Sequence, residues 1–392
     1  MSRISLRGAA VVAIAVLALV LLTRQGRLTD IMRPAAQSAT SLAAFAPAGI
    51  PIRYGFDSQA VFYATPAGNL FFCTKGGIKY ITAAGAEKWN YAFNMALPIM
   101  AGSGDDVAVA EANGNYLYVF NQDGLLYSKK FELPILSFSV NGGGFSSAIL
   151  KDVSGFRVEV DGQGFSPYQR QLQDQNIIPV TSSVSNDGRI LGINFLNTNL
   201  TGAKYSSYLA FTYVNKSDSD ASGKDFFASK IVNDHIIADI RFMDGNQILT
   251  FSDSQAEAMQ VGANNFFREL KTIDLTNRVD YLAFLPGGGF AAALGARLSD
   301  GVGDDPGSVV FFNANLDPTG SFELGRAATY LSAARDKAIA GSGRDYYALD
   351  SRGRLLWRYS STQDLKQVLF LNNSDTVLFV SNTEADIMKR KR

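Results

Sequence analysis

Two successive stretches of this chain can be laid on each other strand for strand: "PIMAGSGDDVAVAEANGNYLYVFNQDGLLYSKKF" from Pro98 and "PILSFSVNGGGFSSAILKDVSGFRVEVDGQGFSPYQRQL" from Pro134. Each opens on Pro-Ile, alternates short apolar runs with Gly, Asn and Asp turns, and places a hairpin glycine 26 or 28 residues on, at Gly124 and Gly162. Equivalent hairpins are expected at Gly85, near Ser217, near Glu257, near Leu316 and at Gly353. Between them run "AVFYATP", "NLFFCTK", "RILGINFL", "YLAFTYV", "SVVFFN" and "TVLFV", with period two or continuous aromatic and β-branched residues. That is strand chemistry; an amphipathic helix would repeat every 3.6 residues. A unit of about 40–45 residues holding four strands is the signature of a β-propeller blade, so the body reads as an all-β propeller.

The seven hairpins give seven blades, and "KQVLFLNNSDTVLFVSNTEADIMK" then supplies three further strands without a fourth. The segment "IPIRYGF", 51–57, can be that fourth strand, which closes the ring with eight blades by pairing the N- and C-terminal strands. Eight is preferred over seven, the alternative, because such closure removes exposed sheet edges. The wider intervals hold polar insertions, "NTNLTGAKYSS", "NKSDSDASGKD" and "RLSDGVGDDPG", whose composition belongs to surface loops.

Ahead of the propeller the spacing predicts three short regions: a basic stub at 1–7, an apolar transmembrane signal-anchor at 8–23 and an Ala/Ser/Pro-rich linker at 24–49, with the propeller over 50–392. "GAAVVAIAVLALVLLT" is uncharged between Arg7 and Arg24. Sixteen residues make a helix of about 24 Å, so spanning draws in Ile4–Leu6 and lets the flanking arginines snorkel. The other reading is a cleaved signal peptide, but "RQGRLTDIMR" follows at once instead of a small-x-small cleavage site. Charge on the two sides does not fix orientation; a short stub before a lone apolar segment points to export of the remainder. Net charge is zero, yet 1–33 carries five Arg and one Asp and the closing "MKRKR" four basic residues, leaving 27 basic against 35 acidic residues between them. That mildly acidic body argues against a nucleic-acid partner.

The only two tryptophans stand in one local frame, "AAGAEKWNYAF" and "DSRGRLLWRYS", each reading Gly, three residues, Trp, one residue, Tyr. In "YYALDSRGRLLWRY" the residues Ala348, Leu349, Asp350, Gly353 and Trp357 resemble the repeat of quinoprotein-like (PQQ-type) propellers, and Gly85 with Trp89 matches without the Asp. Here Gly supplies the positive φ of a hairpin, and Trp packs against the neighbouring blade with its N–H available there. The whole arrangement also resembles an uncharacterised family of membrane-anchored propeller proteins of Gram-positive bacteria, a likeness that implies no activity. Quinoprotein enzymes hold their cofactor with a pair of adjacent cysteines and a calcium; a single cysteine excludes that pair.

Other chemistry-bearing residues are sparse. Cys73 alternates with apolar neighbours as a buried strand residue, and His235, the only histidine, stands at a strand entrance. Asp218, Asp220, Ser222 and Gly223 fit the start of a calcium loop, but Ser229 replaces the bidentate Glu at its twelfth position. Asp300, Asp304 and Asp305 form a weaker acidic loop, and "NGGGF" (141–145) and "PGGGF" (286–290) read as inter-strand turns with no helix to receive a phosphate. Asn199, Asn215 and Asn372 begin Asn-x-Ser/Thr sequons. No catalytic residue or cofactor is expected, calcium excepted. The expected function is a membrane-anchored extracytoplasmic module, at the cell surface, that binds a protein or cell-envelope partner; the alternative is a propeller enzyme using inner-strand carboxylates.

Overall fold

The computed structural model describes residues 42–391 apart from 165–167, 175, 199–205, 216–225, 253–254, 263–265, 276, 286–287, 296–306 and 372–373. They form eight antiparallel sheets. Blades 1 to 7 occupy 61–92, 98–130, 135–172, 177–233, 237–274, 279–323 and 330–360, each with four strands in sequence order. Blade 8 takes Gln367–Phe370, Thr376–Val380 and Glu384–Arg390 and completes itself with chain from the other end.

Eight apolar clusters lie between the blades, one per seam. Tyr80, Phe71 and Phe120 fill the seam of blades 1 and 2, Ile149 and Leu191 that of blades 3 and 4, and Phe251 and Phe290 that of blades 5 and 6. The last cluster joins Leu378 and Ile387 of blade 8 to Phe62 and Leu70 of blade 1, so the ring is closed. Alternation explains the arrangement: a strand inside a blade has neighbours on both faces, and the second and third strands are therefore nearly continuous apolar runs, such as Phe290–Leu294 and Thr376–Val380.

Closure uses more of the N-terminal chain than the sequence suggests. Ile52 pairs with Ala385 and Arg53 with Glu384, within the 51–57 segment. A second piece, Phe45–Pro47, pairs with Arg390, Lys389 and Met388, so the linker ends before Phe45 and not at 49. Its Ala- and Pro-rich composition has little strand propensity; the open edge of Glu384–Arg390 imposes the conformation. Tyr54 fastens the clasp, its hydroxyl within 2.9 Å of Ser381 O and 3.0 Å of Glu384 O.

One hairpin position is corrected. Glu257 lies inside Gln255–Gly262, the third strand of blade 5, and the fourth strand begins only at Phe266. Glu257 is buried, with its charge met by Lys230 of blade 4. A charge in the middle of a strand thus resembles a turn in the sequence. Among the described residues no helix is long and apolar enough to cross a membrane, and the 8–23 segment lies outside them.

Candidate functional site

All eight first strands line the ring axis in the same direction, so their starts share one mouth of the channel and their ends the other. The two mouths differ. At the starting mouth stand Leu97 and Ile99 of blade 2, Leu136 of blade 3, Ile236 of blade 5 and Tyr281 of blade 6, each 40–47% exposed. We call this set the collar. In blades 3 to 6 the first strand carries an extra residue near its start: Leu136, Val180, Ala238 or Asp280 stands unopposed by the second strand. Blades 1, 2, 7 and 8 pair there without interruption. Such bulges bend a strand and re-aim its side chains, and here they turn Leu136 and Tyr281 out of the seams.

The ending mouth is polar and tied from blade to blade by side-chain hydrogen bonds. Asn141 caps its own turn through Oδ1, accepting from Gly143 N–H (2.9 Å) and Phe145 N–H (3.0 Å), and donates from Nδ2 to Ser185 O of the next blade at 2.7 Å. Asn186 of blade 4 donates to Asp244 of blade 5, and Arg335 of blade 7 donates to Pro66 O of blade 1 at 3.0 Å. Within the channel Tyr63 donates to Gly104 O at 2.9 Å. Burial pushes the Tyr63 phenol up, and the charge of Arg241, from blade 5, pulls it back. Arg241 also stacks on Phe284 at 3.9 Å. Asp106, beside Asp105, has its carboxyl pushed up to about 6 by burial and by its acidic neighbour.

The inner-strand carboxylates are engaged by cations: Asp239 with Arg241 (3.0 Å) and Asp280 with Arg278 (2.6 Å). Among the described residues no group of three or more His, Cys, Asp and Glu could hold a metal ion. Further out, Lys129 bridges from blade 2 to the buried Asp161 and Glu159 of blade 3, at 3.1 and 3.7 Å. Burial raises the Glu159 carboxyl and Lys129 lowers it, which reads as a seam ion pair.

Each tryptophan reaches into the following blade. Trp357, 1% exposed, donates its indole N–H to Ser374 O of blade 8 at 2.7 Å. Trp89 donates to Gln122 O of blade 2 at 3.0 Å and stacks between Tyr80 and Phe120. Asp350 accepts from the N–H groups of Arg352 (3.0 Å) and Arg354 (2.9 Å), tying off the turn in which Gly353 takes φ 74°. A Cβ on Gly353 would lie 2.3 Å from Ser321 O of blade 6, so the glycine is also needed for close approach of two blades. Gly85 takes φ 87° in the corresponding turn of blade 1. Cys73 is fully buried, and burial pushes its thiol up to about 12, away from the reactive thiolate. His235 lies on the connection from blade 4 to blade 5, where its carbonyl accepts from Ser207 Oγ. Asp218, Asp220, Ser222 and Gly223, as well as Asp300, Asp304 and Asp305, lie outside the described residues.

None of the five collar residues stood out as a site residue in the sequence. Leu97, Ile99, Leu136 and Ile236 sit in apolar strand starts that look like core, and only the ring geometry leaves them uncovered.

Residues 53–389 match the model of a family of unknown function (DUF5711). Among solved structures, Sqt1 of Saccharomyces cerevisiae is similar with a TM-score of 0.52 at 10% identity, over 88% of this chain and 99% of that one. The β-propeller domain of Cps50 (Swd1) from Myceliophteria thermophila gives 0.48 at 11% identity, over 88% and 99%. BamB from Moraxella catarrhalis gives 0.46 at 12%, over 88% and 100%. Identities this low speak to fold alone. A search of the curated proteins gave no match.

Proposed function

We propose, for a chain that belongs to the DUF5711 family of unknown function, a role as a non-catalytic binding module that grips an apolar segment of a protein or cell-envelope partner at the collar. One observation carries this reading: five large apolar side chains stay uncovered around one mouth of a channel whose other mouth is polar and tied by hydrogen bonds between blades. Exposed apolar groups gathered at a concave mouth and rimmed by polar connections suit a partner that brings its own apolar anchors. The carboxylates nearest the axis, Asp239 and Asp280, are neutralised by arginines, which favours binding over carboxylate catalysis.

In this reading the 8–23 segment anchors the module in the cell membrane and the propeller lies outside the cytoplasm, in keeping with the resemblance to membrane-anchored propellers of Gram-positive bacteria. The likeness of "YYALDSRGRLLWRY" to the PQQ-type repeat concerns how a blade is built and carries no cofactor with it. The test is site-specific photocrosslinking in cells from Ile99 and, as a control, from Asp336 at the polar mouth. A discrete adduct from Ile99 alone is the expected result; no adduct from any collar position sinks the binding role. Export fails separately if the propeller resists added protease in intact, wall-stripped cells.

A further inference from the structure

The edge at which the ring closes carries a second surface. Phe45 pairs with Arg390 and Ala46 with Lys389, and Lys391 N–H donates to Ala44 O at 2.8 Å. The chain therefore enters the fold side by side with the basic run Lys389–Lys391. In that strand Ala385 and Ile387 are buried against blade 1, so alternation puts Lys389 on the same side, beyond the apolar cover. Arg390 turns the other way, onto Asp375 at 2.9 Å and Leu356 O at 3.0 Å. Lys389 and Lys391 are exposed, and neither forms an ion pair among the described residues. Between the two pieces that pair with this strand, Ile50 is 90% exposed, whereas Leu42 lies beside Arg358 of blade 7.

We propose that this edge of blade 8 docks on an anionic lipid surface, with Lys389 and Lys391 against the headgroups and Ile50 entering the interface; the proposal rests on the reading of 8–23 as a membrane anchor. Residues 24–41 join that segment to Leu42 and reach at most about 60 Å, so the tether alone leaves the propeller free to turn any side to the membrane. Tethering raises the local concentration of whatever lies beside the attachment point, which lets a weak contact there set the orientation. Two lysines supply such a contact, since attraction to anionic lipid acts only within a Debye length of the surface. Arg24, Arg27 and Arg33 in the tether add charge of the same sign. Because the edge is the outer rim of a blade, docking leaves the collar open to the side.

Residues 42–392 contain all eight blades and every seam between them, so this fragment folds as a unit and can be tested without the anchor. Its sedimentation with vesicles of phosphatidylcholine, alone or mixed with phosphatidylglycerol, reads the proposal directly. Expected are binding to the mixed vesicles only, weakened by salt, and a loss of about tenfold in Lys389→Ser/Lys391→Ser with unchanged melting. The exposed pair Arg326→Ser/Lys366→Ser, on blade connections at the collar face, should bind like the parent. No binding to mixed vesicles, or equal loss in both pairs, overturns the docking surface, and selective binding to an acidic protein instead of lipid does the same. Alkaline extraction of membranes from cells making the full chain tests the anchor by itself: extraction of the chain removes the anchor reading whatever the fragment does.

Discussion

The two ends of the channel are made from the same eight strands and are treated in opposite ways. At the ending mouth, side chains spend their hydrogen bonds on other blades: Asn141 on Ser185 and Asn186 on Asp244 of the blade that follows, and Arg335 of blade 7 on Pro66 of blade 1. Both indoles join in on that side, since Gln122 and Ser374 lie in the turns that face it. At the starting mouth four of the eight strands are bulged and apolar side chains are left uncovered. The difference teaches that the two faces are built for different ends: one carries hydrogen bonds from blade to blade, and the other leaves apolar side chains uncovered, the face proposed above to meet a partner.

This contrast can be broken by mutation, and the largest effect should come from the hydrogen-bonded face. Trp357→Ala removes a fully buried indole and its bond to Ser374, at a cost of about 3–5 kcal/mol. Denaturant unfolding with a midpoint equal to the parent's would show that the indole is no pin. Asn141→Ala strips two caps and an interblade bond from a side chain only 7% exposed and should cost about 2–3 kcal/mol, read the same way.

A smaller change has the opposite sign. The Asp106 carboxyl has its pKa raised from 3.8 to about 6, so the folded state holds its proton more tightly than the unfolded chain does. Its contribution is present below pH 3.8 and is lost as pH rises through about 6. Asp106→Asn should therefore stabilise by about 1 kcal/mol above neutral pH, after allowance for partial exposure, and change little in acid. Thermal melts at both ends of that range decide it; destabilisation at neutral pH would mean that the charge is wanted there. The smallest expected stability effect belongs to the collar: Leu136→Ser with Ile236→Ser should shift unfolding by no more than about 0.5 kcal/mol and still abolish the crosslink from position 99. If the pair unfolds the protein, the collar is core after all and the contrast between the mouths disappears.

Ring, blade size and closure are legible in the sequence because each rests on local chemistry repeated many times: turn glycines such as Gly124 and Gly353, and apolar runs between them. What escapes is set by partners distant in the chain. Phe45–Pro47 becomes a strand only because Glu384–Arg390 has an open edge, and Glu257 sits mid-strand only because Lys230 meets it from another blade. The collar is hidden for the same reason: Ile99 and Ile135 read alike in "PIMAG" and "PILSF", yet Ile99 is 45% exposed and Ile135 3%. A bulge after Ile135, absent from blade 2, separates them.

The clasp of Phe45–Pro47 on Met388–Arg390 also sets an order of events during synthesis. The strand that closes the ring leaves the ribosome early, and its partner follows roughly 350 residues later, an interval of about 20–70 s at ordinary elongation rates. Through that wait the nascent arc has two free edges, each able to recruit a wrong neighbour. Pro47 and Pro51, which interrupt the waiting segment, lack the N–H donors that a growing sheet would need, and so keep it a poor template until its own partner arrives.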